Sequence, residues 1–168
     1  MASADVLADA FERVRGVVHS AVRGLTPEQL AKRVDGRANS IAWLVWHLTR
    51  IQDDHIADAA GLDQLWTAAG WVDRFGLPFD PSETGYGHSD EQVSAVRASS
   101  DLLVGYYDDV HEQTLEYVKR LPDSELTRIV DESFDPPVQL GTRLVSVISD
   151  DLQHAGQAAL LRGLITKR

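Results

Sequence analysis

Apolar residues recur at three- and four-residue steps along four stretches of this chain, and each stretch reads as an amphipathic helix. The first runs from about Ala4 to Val22, with Val6, Leu7, Ala10, Phe11, Val14, Val17, Val18 and Val22 on one face. Thr26-Pro27-Glu28-Gln29 then has the form of a cap followed by proline at the first helical position, so a short helical turn is predicted before Asp35-Gly36. The second long helix spans about Ile41 to Ala60, capped by Asn39 or Ser40 and stopped by Gly61, with Ile41, Leu44, Val45, Leu48, Ile51 and Ile56 facing inward. Between Gly61 and His88 the pattern is lost. Five aromatics (Trp66, Trp71, Phe75, Phe79, Tyr86) are spread there among glycines and prolines, and a connection this long in a compact domain usually carries function.

Ser89-Asp-Glu-Gln92 forms a capping box that opens a third long helix, predicted to reach Arg120 before Pro122 ends it. Residues 123–141 are irregular, with room for a helical turn or an extended piece around Ile129-Val130. Thr142 caps a fourth long helix, about Arg143 to Ile165. The expectation is an all-α fold, a four-helix bundle of one domain over residues 1–168. Long connections join helices two to three and three to four, in up-down-up-down or crossover topology.

Charge and composition narrow the function. The formal charge of -10 opposes a phosphate backbone, so no nucleic-acid partner is expected. No stretch is apolar enough for a membrane span, and the N-terminal residues carry acids rather than the bases of an export signal, so the cytoplasm is the expected location. Cysteine is absent, which leaves only nitrogen and oxygen ligands for any metal and requires any thiol chemistry to use an external thiol. Arginine far outnumbers lysine and Ala, Val and Asp are abundant, the usage of a high-GC genome.

Within this frame two histidines stand out. Asp150 and His154 are one helical turn apart and share a face, so both can grip one ion. His47, among the inward positions of the second helix, can supply a third donor, giving two imidazoles and a carboxylate with further positions open. The same spacing also suits a plain Asp150–His154 ion pair on a solvated face, and Asp151, three residues before His154, is a rival ligand. His55 lies about two turns from His47, too far for the same ion, and reads as a cavity-lining residue or as a partner of Asp54 or Asp58. His19, His88 and His111 are expected at the surface.

The sequence Trp46-His47-Leu48, the pattern Asp150-x-x-x-His154-x-Gly156-Gln157 and the chain length resemble the DinB-like superfamily, which includes thiol-dependent maleylpyruvate isomerases and S-transferases. The resemblance covers essentially the whole chain. It implies a divalent metal between the helices, held by His47, Asp150 and His154, with Asp150 standing where relatives place His or Glu. It further implies a small-molecule substrate attacked by a metal-held thiolate; with high-GC usage, the implied thiol is mycothiol. Zinc, nickel, manganese and iron all suit such ligands.

Arg50 is positioned to hold an anionic group of cofactor or substrate, or to pair with Asp53 or Asp54, and Gln157 to bond a ligand or the cofactor. The aromatic connection reads as a lid over the site or as a plug of the bundle end. Two other functions fit the same residues: a metal-dependent hydrolase, or a non-catalytic bundle that binds a metal or small ligand. A homodimer through a spare apolar helix face is compatible with each.

Overall fold

The computed structural model describes residues 2–166. In chain order it contains α1 (Ser3–Val22), α2 (Pro27–Leu30), a 3₁₀ turn (Val34–Gly36), α3 (Ile41–Ala60), α4 (Leu65–Ala68), α5 (Trp71–Phe75), α6 (Asp90–Ala95) and α7 (Ser100–Val118). A second 3₁₀ turn (Asp123–Thr127), the short strands β1 (Ile129–Asp131) and β2 (Val138–Gln139), and α8 (Leu140–Thr166) complete it. Four long helices pack together, with a small antiparallel hairpin pairing Ile129 with Gln139 and Asp131 with Val138.

Local chemistry explains the starts and stops. Thr26 and Gln29 exchange side-chain bonds with each other's backbone N–H at the start of α2. Ser40 accepts from Trp43 N–H at 3.1 Å to open α3, and Gly61, at φ +66°, takes the left-handed conformation that closes it.

Two expectations are corrected. The third long helix is not continuous from the Ser89 capping box: α6 stops at Ala95, residues 96–99 leave the helical path, and Ser99 caps α7 by accepting from Leu102 N–H at 3.1 Å. The fourth starts at Leu140, directly from β2, instead of after a Thr142 cap.

Two apolar layers set the direction of each long helix. One contains Phe11 of α1, Ile56 and Ala59 of α3, Val118 of α7, and Leu140, Leu144 and Val147 of α8. The other contains Val18 and Val22, Ile41 to Leu48, Leu103 to Val110, and Ala155, Ala158 and Leu161. The start of α1 and the start of α8 therefore share a layer with the ends of α3 and α7. α1 and α8 run one way, α3 and α7 the other, which resolves the topology as a crossover bundle.

Each long helix packs mainly on two neighbours, α3 and α1 each against α7 and α8. Because α3 and α7 are parallel, the segment between them must climb back along the bundle, and it passes the N-terminal half of α3 on the way. Trp66, Trp71 and Phe75 in this segment are buried around Tyr106, so these three plug the bundle. Gly105 makes room for them: a Cβ there would meet Trp71 at 2.7 Å. No described helix is long and apolar enough to cross a membrane.

Candidate metal centre

Covered by α8 on one side and the climbing segment on the other, the first half of α3 is buried almost all round, and His47 is only 5% exposed. Its ring stacks on Trp43, with centroids 4.5 Å apart and planes at 15°. Nδ1 lies 2.6 Å from the carbonyl oxygen of Thr84, so Nδ1–H donates there and the lone pair is left on Nε2. This close approach demands glycine next in sequence. Gly85 sits at φ +95°, and a Cβ on it would fall 2.8 Å from His47 Nδ1 and 3.0 Å from the Trp46 ring.

Facing it, α8 supplies Asp150 and His154. His154 Nδ1–H donates to Gln157 Oε1 at 3.0 Å, which frees Nε2, and Nε2 lies 3.5 Å from Asp150 Oδ1. The rings of His47 and His154 have centroids 4.9 Å apart. One ligand atom from each of His47, Asp150 and His154 lies within 4.8 Å of the others.

The electrostatics suit a cation. Burial holds His47 below the ordinary imidazole range, partly offset by its bond to Thr84, so it is neutral near pH 7. Burial pushes Asp150 up, but His154, 3.5 Å away, and the nearby imidazoles outweigh this and leave it below its usual range. His154 is raised, first by Asp150, against burial. Asp150 Oδ2 is buried without a hydrogen-bond partner, an acceptor whose desolvation is uncompensated by any protein donor. Two imidazole nitrogens, each with the other ring nitrogen anchored, plus such a carboxylate form a donor set that fits zinc, nickel, manganese or iron with coordination positions left over.

Of the adjacent carboxylates only Asp150 joins the histidines. Asp151 points into the bundle, fully buried with neither oxygen partnered, and burial and then Asp150 push it well above the carboxylate range.

Arg50 is not brought to the opening. It is wholly buried, donating to Glu83 O at 3.2 Å and Gln64 Oε1 at 2.8 Å, 3.9 Å from Asp53 and over the ring of Trp66. It thus holds the climbing segment to α3. Asp53 takes the other side of the same joint, accepting from Leu65 N–H, Trp66 N–H and the Tyr106 hydroxyl. His55 lies down the same face of α3 and receives a bond from Arg143 at 3.3 Å.

Two histidines expected at the surface are inside. His88 lies between Trp46 and Phe79, accepting from Trp43 Nε1–H at 3.2 Å and donating to Glu83 at 3.0 Å, its side chain 3% exposed. His111 is buried where α7 meets α1, 3.4 Å from Glu12 and stacked on Tyr107. His19 pairs with Asp108 at 2.7 Å and keeps partial exposure.

The contacts around His47, from Thr84 and Gly85, with His88 and Glu83 behind Trp43, thus come from the climbing segment. Gly85-Tyr86-Gly87 was the sequence signal for them, two left-handed glycines around a Tyr that is 91% exposed.

A profile of the Mycothiol-S-transferase family (MST) matches residues 6–167. Among solved structures, the crystal structure of a conserved protein from Enterococcus faecalis superposes with a TM-score of 0.91 at 27% identity, covering 98% of this chain and 98% of that one. No curated protein sequence matches.

Proposed function

The chain belongs to the mycothiol S-transferase family, and on that basis we propose that it joins mycothiol sulfur to a small electrophile, with His47, Asp150 and His154 holding a divalent cation at the reaction centre. The observation that carries the reading is the Asp150 carboxylate, one oxygen of it buried and unpartnered, with one ligand atom from each of His47, Asp150 and His154 within 4.8 Å of the others. A cation bound there supplies the positive charge that keeps a thiol ionised near neutral pH.

The protein's own residues do the rest. Thr84 and Gln157 fix the two ring orientations, and the Trp43 face against His47 excludes water from one side. Thiolate sulfur forms the new S–C bond, the leaving group departs with its electron pair, and the thiol proton passes to solvent.

Elemental analysis of protein equilibrated with each divalent ion, wild type beside His154→Ala, tests the centre. About one ion per chain in the wild type and none in the variant is the expected result, together with mycothiol-dependent conjugation that the variant loses. Equal metal content in both proteins overturns the assignment of ligands. Ester or amide cleavage without added thiol would move the reading to a hydrolase.

A further inference from the structure

The aromatic side chains of α3 and the climbing segment are packed inside, with one exception. Trp43, Trp46, Trp66, Trp71 and Phe75 are buried, and Phe79 lies half-buried against Trp46 and His88. Tyr86 is 91% exposed, more than any other large apolar or aromatic side chain among the described residues.

The backbone on either side of it is firmly held. Before it, the Glu83 carbonyl accepts from Arg50 Nε–H at 3.2 Å and the Thr84 carbonyl from His47 Nδ1–H, while Gly85 sits against the rings of His47, Trp46 and Trp43. After it, His88 is lodged between Trp46 and Phe79 and bonded to Trp43 and Glu83, and Ser89 caps α6. A bond from His88 N–H to Gly85 O at 3.2 Å closes the turn, so Tyr86 stands at the apex of a bracket fixed at both feet. Gly87, at φ +73°, has nothing within 4 Å of where a Cβ would lie, so its glycine serves the backbone path and leaves open space beside the tyrosine.

The bracket is bolted to the candidate centre. Thr84 O touches the His47 ring, so standard backbone dimensions keep the Tyr86 Cα within roughly 9 Å of that ring, and the tyrosine side chain spans about 6.5 Å more. The three donors are themselves open to solvent on the α8 side, where the side chains of His154 and Asp150 keep 19% and 34% of their surface. Trp43, stacked on His47 and edge-on to His154 at 6.2 Å, is an aromatic wall of the same region. A ligand over the donors therefore has an indole beside it and the Tyr86 ring within reach. A lone ring in water gains most from a second planar, apolar group laid against it, with the phenol hydroxyl kept wet at its edge.

We propose that Tyr86 is a substrate-contact residue, its ring stacking on a planar, uncharged part of the electrophile whose reacting carbon lies over His47, Asp150 and His154. The proposal rests on the thiol-transfer reading for the presence of an electrophile at that place. A contact made equally before and during bond formation lowers KM and leaves kcat as it was.

The test uses the cation-loaded full chain with mycothiol and two electrophiles, the planar 1-chloro-2,4-dinitrobenzene and the small, ringless iodoacetamide. Tyr86→Ala is expected to raise KM for the dinitrobenzene about five- to tenfold relative to KM for iodoacetamide, the loss of one aromatic stack. Tyr86→Phe keeps the ring and should restore the wild-type ratio. An unchanged ratio in Tyr86→Ala overturns the contact, as does turnover of iodoacetamide with none of the planar electrophile. Equal loss toward both electrophiles together with weakened cation binding assigns Tyr86 to the shape of the turn and likewise overturns it.

If the wild type transfers no thiol to either electrophile, the functional reading fails, and the contact is judged alone by nitration with tetranitromethane. Tyr106 and Tyr107 are buried and Tyr117 is half-buried, so Tyr86 is the exposed phenol and Tyr117 the internal reference. With the cation-loaded protein, 1,3-dinitrobenzene, which lacks the leaving group, is expected to slow nitration of Tyr86 and leave that of Tyr117 unchanged. Equal Tyr86 rates with and without millimolar dinitrobenzene overturn the contact.

Discussion

His47 Nδ1 and the carbonyl oxygen of Thr84 are 2.6 Å apart, and through this contact the climbing segment orients the ring of the central helix that faces α8. A residue on a loop decides which nitrogen of the imidazole is free. The candidate centre and the connection are therefore one mechanical unit, and changes in the connection register at the centre.

Gly85→Ala tests that unit most directly. The new Cβ meets His47 Nδ1 at 2.8 Å, on a backbone at φ +95° that an alanine avoids, so the loop must withdraw or the ring must turn. Cation affinity is expected to fall about 10- to 100-fold, the usual effect of losing an outer partner of a ligating histidine. Competition against a chromophoric chelator measures it, and the far-UV spectrum should stay that of a helical bundle.

His88→Ala removes the post on which the same segment rests. Trp43 Nε1–H loses its acceptor, and Glu83 is left with the Gln92 amide as donor. A stranded buried donor costs about 1–3 kcal/mol, and limited proteolysis is expected to cut within residues 79–88 before any site in the long helices. Protection equal to wild type would show that Arg50, Asp53 and the His47–Thr84 bond hold the segment without His88.

Asp53→Ala should be the most damaging single change. Burial raises the Asp53 carboxyl against the pull of Tyr106, two backbone N–H groups and Arg50. Truncation leaves the wholly buried Arg50 with Gln64 and Glu83 O as its partners and no carboxylate near it. Removing one member of a buried pair costs about 3–5 kcal/mol, read as a lower urea midpoint at unchanged slope.

The pH profile of stability carries the mark of His111. Burial lowers it, with Glu12 opposing and Arg15 adding, while Asp108 also faces it. A lowered folded-state value means the unfolded chain takes up the proton first on acidification. The contribution is complete above the ordinary value of 6.5 and is lost as pH falls toward the folded value. His111→Leu should therefore show a shallower drop in Tm below about pH 6.5. His47 and His55 shift the same way and remain in the variant, so the slope should decrease without vanishing.

Much of this was legible because helical periodicity survives in one dimension. The inward stripe of α3 and the turn-spaced carboxylate and His154 of α8 are properties of single helices, so spacing could nominate His47, His154 and one of the adjacent acids Asp150 and Asp151 as candidate donors. The break at residues 96–99 was hidden because Val93, Val96 and Leu103 keep apolar steps across it, with no Gly or Pro between, although Ser99 held a capping signal. The choice between Asp150 and Asp151 depends on the rotation of α8 against α3, and the burial of His88 and His111 on what packs over them. Neither is encoded in local spacing.

The donors enter the chain in two instalments, His47 early and the Asp150–His154 pair more than a hundred residues later. During synthesis, a nascent chain that has extruded α3 holds one imidazole and nothing to complete it. Residues 48–149 must be made and packed before the converging set exists. On the proposed function, loading of an ion is thus a late event in biogenesis, confined to the finished bundle, and a chain stalled or clipped between α3 and α8 cannot trap metal at these residues.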